Sequence, residues 1–313
     1  MNILVTAIGS FSADCVINTL RKNGHFIVGC DIYPSKWHAV SRDCDVVYQV
    51  PFATKEREYI DTLIEICNQH HVEFVFPLTD LEIDVLNKHR QEFEDRKVLL
   101  CIQSNACLEV ARDKYKMYCL FKDSPMVNVP QSTSSCNLTD DFPLPAIAKP
   151  INGRSSEGIQ RIYNNEELLR MKEVENYIVQ ELLEGNIYTI DYVRNSSTKS
   201  DFAIPREELL RTKNGAGTTV RIVPNDYLMH VSSYIGNKLD LNGCVNMEFI
   251  HHANTFYLID INPRFSAGVA FSNFVGYDMV TSHLNCFVGN KDIMPPINYG
   301  EQYICKKYVE ISL

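Results

Sequence analysis

Along the first hundred residues, short apolar runs alternate with stretches in which apolar positions recur at helical spacing. Ile3 to Ile8 predicts a strand, Val16, Ile17 and Leu20 mark a helix, and Phe26 to Ile32 predicts a second strand with Asp31 at its end. Ile60, Leu63, Ile64 and Cys67 fall at i, i+3, i+4 and i+7 between the runs Val46 to Val50 and Val72 to Phe76, and Val98 to Ile102 follows. Alternation of this kind predicts a parallel α/β sheet. From Asn105 the texture changes. A helix is expected around Asp113 to Tyr118, then a loop over the polar stretch Gln131 to Asp141, a strand ending at Ala146 to Pro150, a polar loop from Asn152 to Gly158 and a strand to Tyr163. A helix around Glu166 to Val174 and strands at Tyr177 to Leu183 and Ile187 to Val193 complete a small α+β unit. Beyond Asp201 come mixed strand-like and helical stretches, two strands at Val245 to Ile250 and Phe256 to Ile261, and a last helix through Met279 to Phe287.

Composition narrows the class. The 313 residues are 45% hydrophobic and 22% charged, enough for a full core, and no apolar run approaches the ~20 residues a membrane helix needs. A net charge of −9 disfavours nucleic acid as a partner. The Met1-Asn2-Ile3-Leu4-Val5 start has no basic leader, so a cytoplasmic protein is expected, and the 11 scattered cysteines, with no C-x-x-C pair, read as reduced structural thiols. A dinucleotide fingerprint would need three glycines, whereas the first turn, Ala7-Ile8-Gly9-Ser10-Phe11-Ser12, supplies one, so NAD is not expected.

Two local patterns carry chemistry. In Cys244-Val245-Asn246-Met247-Glu248-Phe249 and Tyr257-Leu258-Ile259-Asp260-Ile261-Asn262-Pro263-Arg264, strand alternation puts Asn246 with Glu248 on one face and Asp260 with Asn262 on one face, opposite Ile259 and Ile261. An antiparallel hairpin centred on Asn254 sets Glu248 opposite Asp260 and Asn246 opposite Asn262. Facing carboxylates repel unless a cation sits between them, and hard oxygen donors suit Mg²⁺. On spacing alone a solvated face with Arg264 as counter-ion stays equally open. The second pattern is Lys149 at the end of an apolar strand, followed by Gly153-Arg154-Ser155-Ser156-Glu157-Gly158. A loop with glycines at both ends can aim backbone N–H groups at an anion, with Lys supplying a point charge; an ordinary hairpin turn fits the same residues.

Taken together these residues resemble the ATP-grasp superfamily, close in texture to stand-alone relatives of the carbamoyl-phosphate synthetase large subunit and biotin carboxylase. The resemblance runs over essentially the whole chain. It implies an ATP-grasp fold, α/β with an α+β C-terminal part, behind a Rossmann-like pre-ATP-grasp domain at 1–104; residues 105–185 would form the lid or small subdomain with its connecting helix, and 186–313 the catalytic subdomain with the metal site. It further implies that Lys114, after Asp113, and Lys149 meet ATP phosphates and that Gly153, Arg154, Ser155, Ser156 and Gly158 form the loop over the triphosphate. Gln180, Glu181 and Leu183 would lie along adenine, and Asn186 stands where the family often places a ribose-binding Glu. Glu248, Asp260 and Asn262 would hold Mg²⁺, with Mn²⁺ as the alternative, and Asp260 replaces the commoner Glu. Arg264 would stabilise the reacting phosphate and carboxylate.

The activity implied is ATP-dependent ligation of a small-molecule carboxylate to an amine through an acyl phosphate, releasing ADP and phosphate. Bicarbonate chemistry of the carbamoyl-phosphate type and a non-catalytic ATP-binding regulator are the alternatives, and the absence of a duplicated half speaks against the first. Arg206 and Arg211 are candidates for holding the acid, by bidentate recognition, with ion pairs to Glu207 or Glu208 as the plain alternative. Ser10, Asp31, Thr79 and Asp80, at strand ends of the first sheet, are candidates for part of the substrate site. A homodimer is the assembly such a chain allows.

Overall fold

The computed structural model describes residues 1–153, 157–289 and 291–312. The N-terminal part is the expected alternation: β1 (Asn2–Val5), α1 (Ala13–Lys22), β2 (Phe26–Asp31), β3 (Val46–Gln49), α2 (Glu56–Gln69), β4 (Phe74–Phe76), α3 (Asp80–Lys88), α4 (Arg90–Glu94) and β5 (Leu99–Leu100). All neighbours in the order β3-β2-β1-β4-β5 are parallel. The strand order reverses between β1 and β4, and the loops at the carboxyl ends of such strands are where open α/β sheets receive ligands.

Helices α5 (Asn105–Ala111) and α6 (Lys114–Phe121) follow. Asp113 caps α6 by accepting from the N–H groups of Tyr115 at 2.9 Å and Lys116 at 2.8 Å, which fixes Lys114 as the first helical residue. A four-stranded antiparallel sheet then forms from β6 (Ser132–Ser134), β7 (Ala146–Pro150), β8 (Gln160–Ile162) and β9 (Tyr177–Glu181), ordered β6-β9-β7-β8, with α7 (Asn165–Met171) against it. The polar stretch from Gln131 to Asp141 is therefore not all loop, because β6 adds to β9 through backbone pairing that apolar patterning does not record.

The remaining chain builds a six-stranded antiparallel sheet, β14-β13-β10-β11-β12-β15, from β10 (Asn186–Arg194), β11 (Asp201–Arg211), β12 (Gly217–Ile222), β13 (Gly243–His252), β14 (Thr255–Asn262) and β15 (Gln302–Cys305). Helices α8 (Asp226–Lys238), α9 (Val269–Phe274) and α10 (Met279–Asn285) pack around it. One core joins Ile3, Val5 and Val16 of the first sheet layer to Val193, Ile204, Val280 and Leu284 of this one, so the two sheets share buried surface. Met117 and Phe121 of α6 pack with Ile190, Tyr192 and Met247, which anchors Lys114 to the same sheet that carries Glu248. Among the described residues no helix is long and apolar enough to cross a membrane.

Candidate functional site

A cleft of about 710 Å³ opens where the three sheets meet. Its walls come from the β1–α1 loop (Gly9, Ser10, Phe11, Ser12), the β4–α3 loop (Thr79, Asp80, Leu81), Lys114, the β7 end (Ile147, Lys149, Gly153), and β11, β13 and β14 with the loop that follows.

The β13–β14 hairpin has the expected register: Asn246 pairs with Asn262 and Glu248 with Asp260. The route to it differs. The tight turn, with φ +46° at Ala253 and +61° at Asn254, aligns His252 with Thr255, which would leave Glu248 opposite Ile259. A bulge between the Glu248 and Phe249 pairings shifts the ladder by one and brings Asp260 into place. Ile259 consequently lines the cleft beside Asp260, while Ile261 is buried in the core; the strict alternation that put the two isoleucines on one face fails there.

The two acids do not wait on Arg264 for charge. Glu248 Oε1 lies 3.1 Å from Arg211 Nη2, and Asp260 Oδ1 lies 3.2 Å from Lys114 Nζ, which also donates to the Gly153 carbonyl at 3.0 Å. Burial pushes the Glu248 carboxyl above its usual range; Asp260 and Glu208 push it the same way, and Arg211 opposes them. Asn262 donates to Asn246 Oδ1 at 3.1 Å, so the amide is held on the acids' strand pair. Two carboxylates and an adjacent amide, all hard oxygen donors lining one cleft, fit Mg²⁺.

Lys149 lines the cleft with no hydrogen-bond or ion-pair partner among the described residues, and burial lowers its ammonium to about 8, Asp260 opposing and Lys114 reinforcing the shift. A half-buried lysine with no partner among the described residues, beside open volume, has affinity for an anion. Arg264 Nη2 donates to Asp80 Oδ2 at 2.8 Å, across 184 residues of chain. Arg211 Nε donates to the Gly215 carbonyl at 2.7 Å. Arg206 departs furthest from expectation: it is 1% exposed and spends itself on Asp191 (2.7 Å), Glu208 (3.1 Å) and Ser266 Oγ (3.1 Å), a buried network rather than a surface ion pair.

The adenine candidates are placed elsewhere than the cleft lining. Gln180 donates from its amide to Ser132 Oγ at 2.8 Å, and Glu181 accepts from the Gln131 N–H at 2.9 Å, so both tie β6 to β9. Leu183 and Asn186 also lie outside the lining residues, and the Asn186 amide donates to Glu207 Oε1 at 2.7 Å. Gly158 has φ +70°, a conformation glycine adopts without strain, and lies just outside the lining. Arg154, Ser155 and Ser156 fall outside the described residues. Ser10, Thr79 and Asp80 line the cleft, whereas Asp31 lies outside the lining and accepts from the N–H groups of Gly9 in the β1–α1 loop and of Tyr33. Sequence reasoning missed the apolar walls Ile147, Ile159 and Ile259. Ile147 was within reach, since it lies two residues from Lys149 on the same strand face.

With this geometry in hand, sequence comparison decides the family. The ATP-grasp domain profile matches residues 111–268, just over half of the chain. The chain belongs to the ATP-grasp family. Residues 3–101 match the PylC-like N-terminal domain. Comparison with curated proteins by sequence finds no match. Among solved structures, the ATP-grasp chain is similar to the biotin carboxylase domain of Hydrogenobacter thermophilus 2-oxoglutarate carboxylase in complex with MgADP, ADP and bicarbonate. The TM-score is 0.76 at 15% identity, over 95% of this chain and 71% of that one. It is also similar to N5-carboxyaminoimidazole ribonucleotide synthetase from Thermotoga maritima (TM-score 0.69, 16% identity, 94% of this chain and 77% of that one). Rhizobium etli pyruvate carboxylase gives a TM-score of 0.75 at 16% identity over 92% of this chain, which spans only 28% of that enzyme's length. At such identities these likenesses speak for a shared fold. The ATP-grasp assignment makes the chain an ATP-dependent ligase, and enzymes of this family use ATP with Mg²⁺.

Proposed function

We propose that this protein is an ADP-forming carboxylate–amine ligase that activates an organic acid as an acyl phosphate. The observation that carries this reading is the convergence in one cleft of Lys114, Lys149 and Arg264 with the facing acids Glu248 and Asp260. A carboxylate and a triphosphate are both anionic, so the barrier to joining them is largely one of charge and placement. Lys149 and Lys114 receive phosphate oxygens, Lys114 exchanging its contact with Asp260 for one with the nucleotide. Arg264 offers its guanidinium to the acid and to the phosphoryl group in transfer, held from the far side by Asp80. Glu248 and Asp260, with Asn262 beside them, would hold Mg²⁺, which supplies neutralisation of the triphosphate charge. Ile147, Ile159 and Ile259 present the apolar surface that suits a base, with the backbone of Gln180, Glu181 and Leu183 left to hydrogen-bond its edge. The free amine then attacks the acyl carbon, the carbon–oxygen bond to phosphate breaks, and phosphate leaves carrying the proton shed by nitrogen.

The test is an ADP-release screen over carboxylates paired with amino acids, followed by hydroxylamine trapping with each active acid. ADP release that requires an organic acid, with hydroxamate formation, supports the ligase. ADP release driven by bicarbonate alone, with no organic acid effective, overturns it.

A further inference from the structure

Nearly every basic side chain lining the cleft is matched to an acid: Lys114 to Asp260, Arg211 to Glu248, Arg264 to Asp80, and Arg206 to both Asp191 and Glu208. The acids are not all spent in return. Asp80 Oδ1 and Glu208 Oε2, both on cleft-lining residues with side chains 4% and 2% exposed, are buried without a hydrogen-bond partner among the described residues. A buried acceptor left without a donor costs free energy, so each calls for a physical reason.

The two oxygens sit in opposite electrostatic surroundings. Burial pushes the Asp80 carboxyl up, but Arg264, Arg112 and Lys114 together outweigh it and hold it below its ordinary value. Another cation there is repelled. Glu208 has one cationic contact, Arg206 at 3.1 Å, and shares it with Asp191 at 2.7 Å; its other influential neighbour is the acid Glu248. Lys306, also nearby, commits its Nζ to the Ala267 carbonyl at 2.8 Å and lies over the Phe11 and Phe271 rings. An added cation is therefore attracted at Glu208. Backbone crowding marks the same spot: a Cβ on Gly217, itself a lining residue, would stand 2.0 Å from Glu208 Oε2.

Building on the ligase reading, we propose that Glu208 is the receptor for the amine substrate in its ammonium form, Oε2 accepting an N–H hydrogen bond once the 212–217 turn shifts slightly off it, and then taking one proton from the ammonium so that the nitrogen attacks as the free amine. Arg206 holds the other oxygen and so fixes the carboxylate plane. The substrate class that follows is an aliphatic primary amine or amino acid, charged at neutral pH, rather than a neutral amide nitrogen.

The test is calorimetry on the intact protein loaded with MgADP, titrated with butylamine hydrochloride, and with tetramethylammonium chloride as a cation that has no N–H donor. Wild type should bind butylamine saturably and tetramethylammonium not at all. Glu208→Gln keeps the acceptor for Arg206 and removes the charge, so butylamine affinity should fall at least about tenfold, the scale of one charge-assisted hydrogen bond. MgADP affinity should stay within about twofold and the melting temperature should not fall. Gly217→Ala, which sets a methyl over Oε2 without touching any charge, should weaken butylamine in the same way. Equal butylamine affinity in wild type and Glu208→Gln, or no saturable butylamine binding while MgADP binds normally, overturns the amine site alone. Failure of wild type to bind MgADP takes down the ligase reading and this proposal with it.

Discussion

Asp31 and the pair Glu248/Asp260 are acids carried by strands of different sheets, and the ways their charge is met are opposite. Asp31, at the end of β2, accepts from the Gly9 N–H at 2.9 Å and the Tyr33 N–H at 3.1 Å, with His38 Nε2 3.2 Å away. Its donors are backbone groups of two neighbouring loops, Gly9 of the β1–α1 loop and Tyr33 just after β2. Glu248 and Asp260 instead face the tips of Arg211 and Lys114, long side chains that can swing to another partner. Backbone donors make a carboxylate structural because they cannot leave without unfolding the loop. Side-chain cations make it exchangeable, so a ligand can enter the pair. Gly9, which donates to Asp31, is small because the His38 ring would meet a Cβ there at 2.6 Å.

The comparison breaks first on turnover. Glu248→Gln and Asp260→Asn should each lower kcat by at least about a hundredfold by weakening metal binding, whereas Asp31→Asn should leave kcat within about threefold. Steady-state ADP release with an active acid reads all three variants, and an equal loss in Asp31→Asn would erase the distinction. Lys149→Ala comes next: ATP affinity should fall roughly ten- to a hundredfold, the worth of a charge-assisted phosphate contact, with the circular dichroism spectrum unchanged.

Stability should order the variants the other way. Asp31→Asn leaves one buried N–H group without its acceptor and should cost about 1–3 kcal/mol in urea denaturation. Glu248→Gln should be neutral or stabilising without metal. A carboxyl raised by burial costs the folded state stability wherever the unfolded chain is ionised, and at pH 7 that cost is present and is removed by the amide. Asp260→Asn should lose a few tenths of a kcal/mol, since it leaves Lys114 and Lys149 close together without the acid between them.

The smallest effect expected is in pH dependence. The free protein holds Lys149 at about 8, so above that pH phosphate binding must also take up a proton. ATP affinity should therefore decline between about pH 8 and 10 in wild type, and the decline should be absent in Lys149→Ala. Parallel pH profiles for the two proteins would show that the lysine does not meet phosphate.

Much of this was open to reading from the chain because it is local. The 3.6 and 2.0 periodicities fix which strands and helices form, and alternation put Asn246 with Glu248 and Asp260 with Asn262 on shared faces within the 21 residues from Cys244 to Arg264. Lys114 was visible as a helix start because Asp113 caps it one residue away. The bulge that sets the final register was not, since it balances turn geometry against strand pairing and leaves no compositional mark.

What only the tertiary structure decided are the partnerships between distant groups. Nothing near Arg264 announces Asp80, nothing near Asp260 announces Lys114, and Arg206 reads as a holder of the acid substrate or as a surface ion pair until β10 and the loop after β14 close over it with Asp191 and Ser266. The sequence by itself determined which of these residues share a strand face or begin a helix, because strand and helix periods act over a few residues. Which cation answers which acid, and which oxygen is left over, is set by how strands and sheets pack together, for Arg264 and Asp80 across 184 residues of chain, where burial rather than spacing sets the energy of each charge.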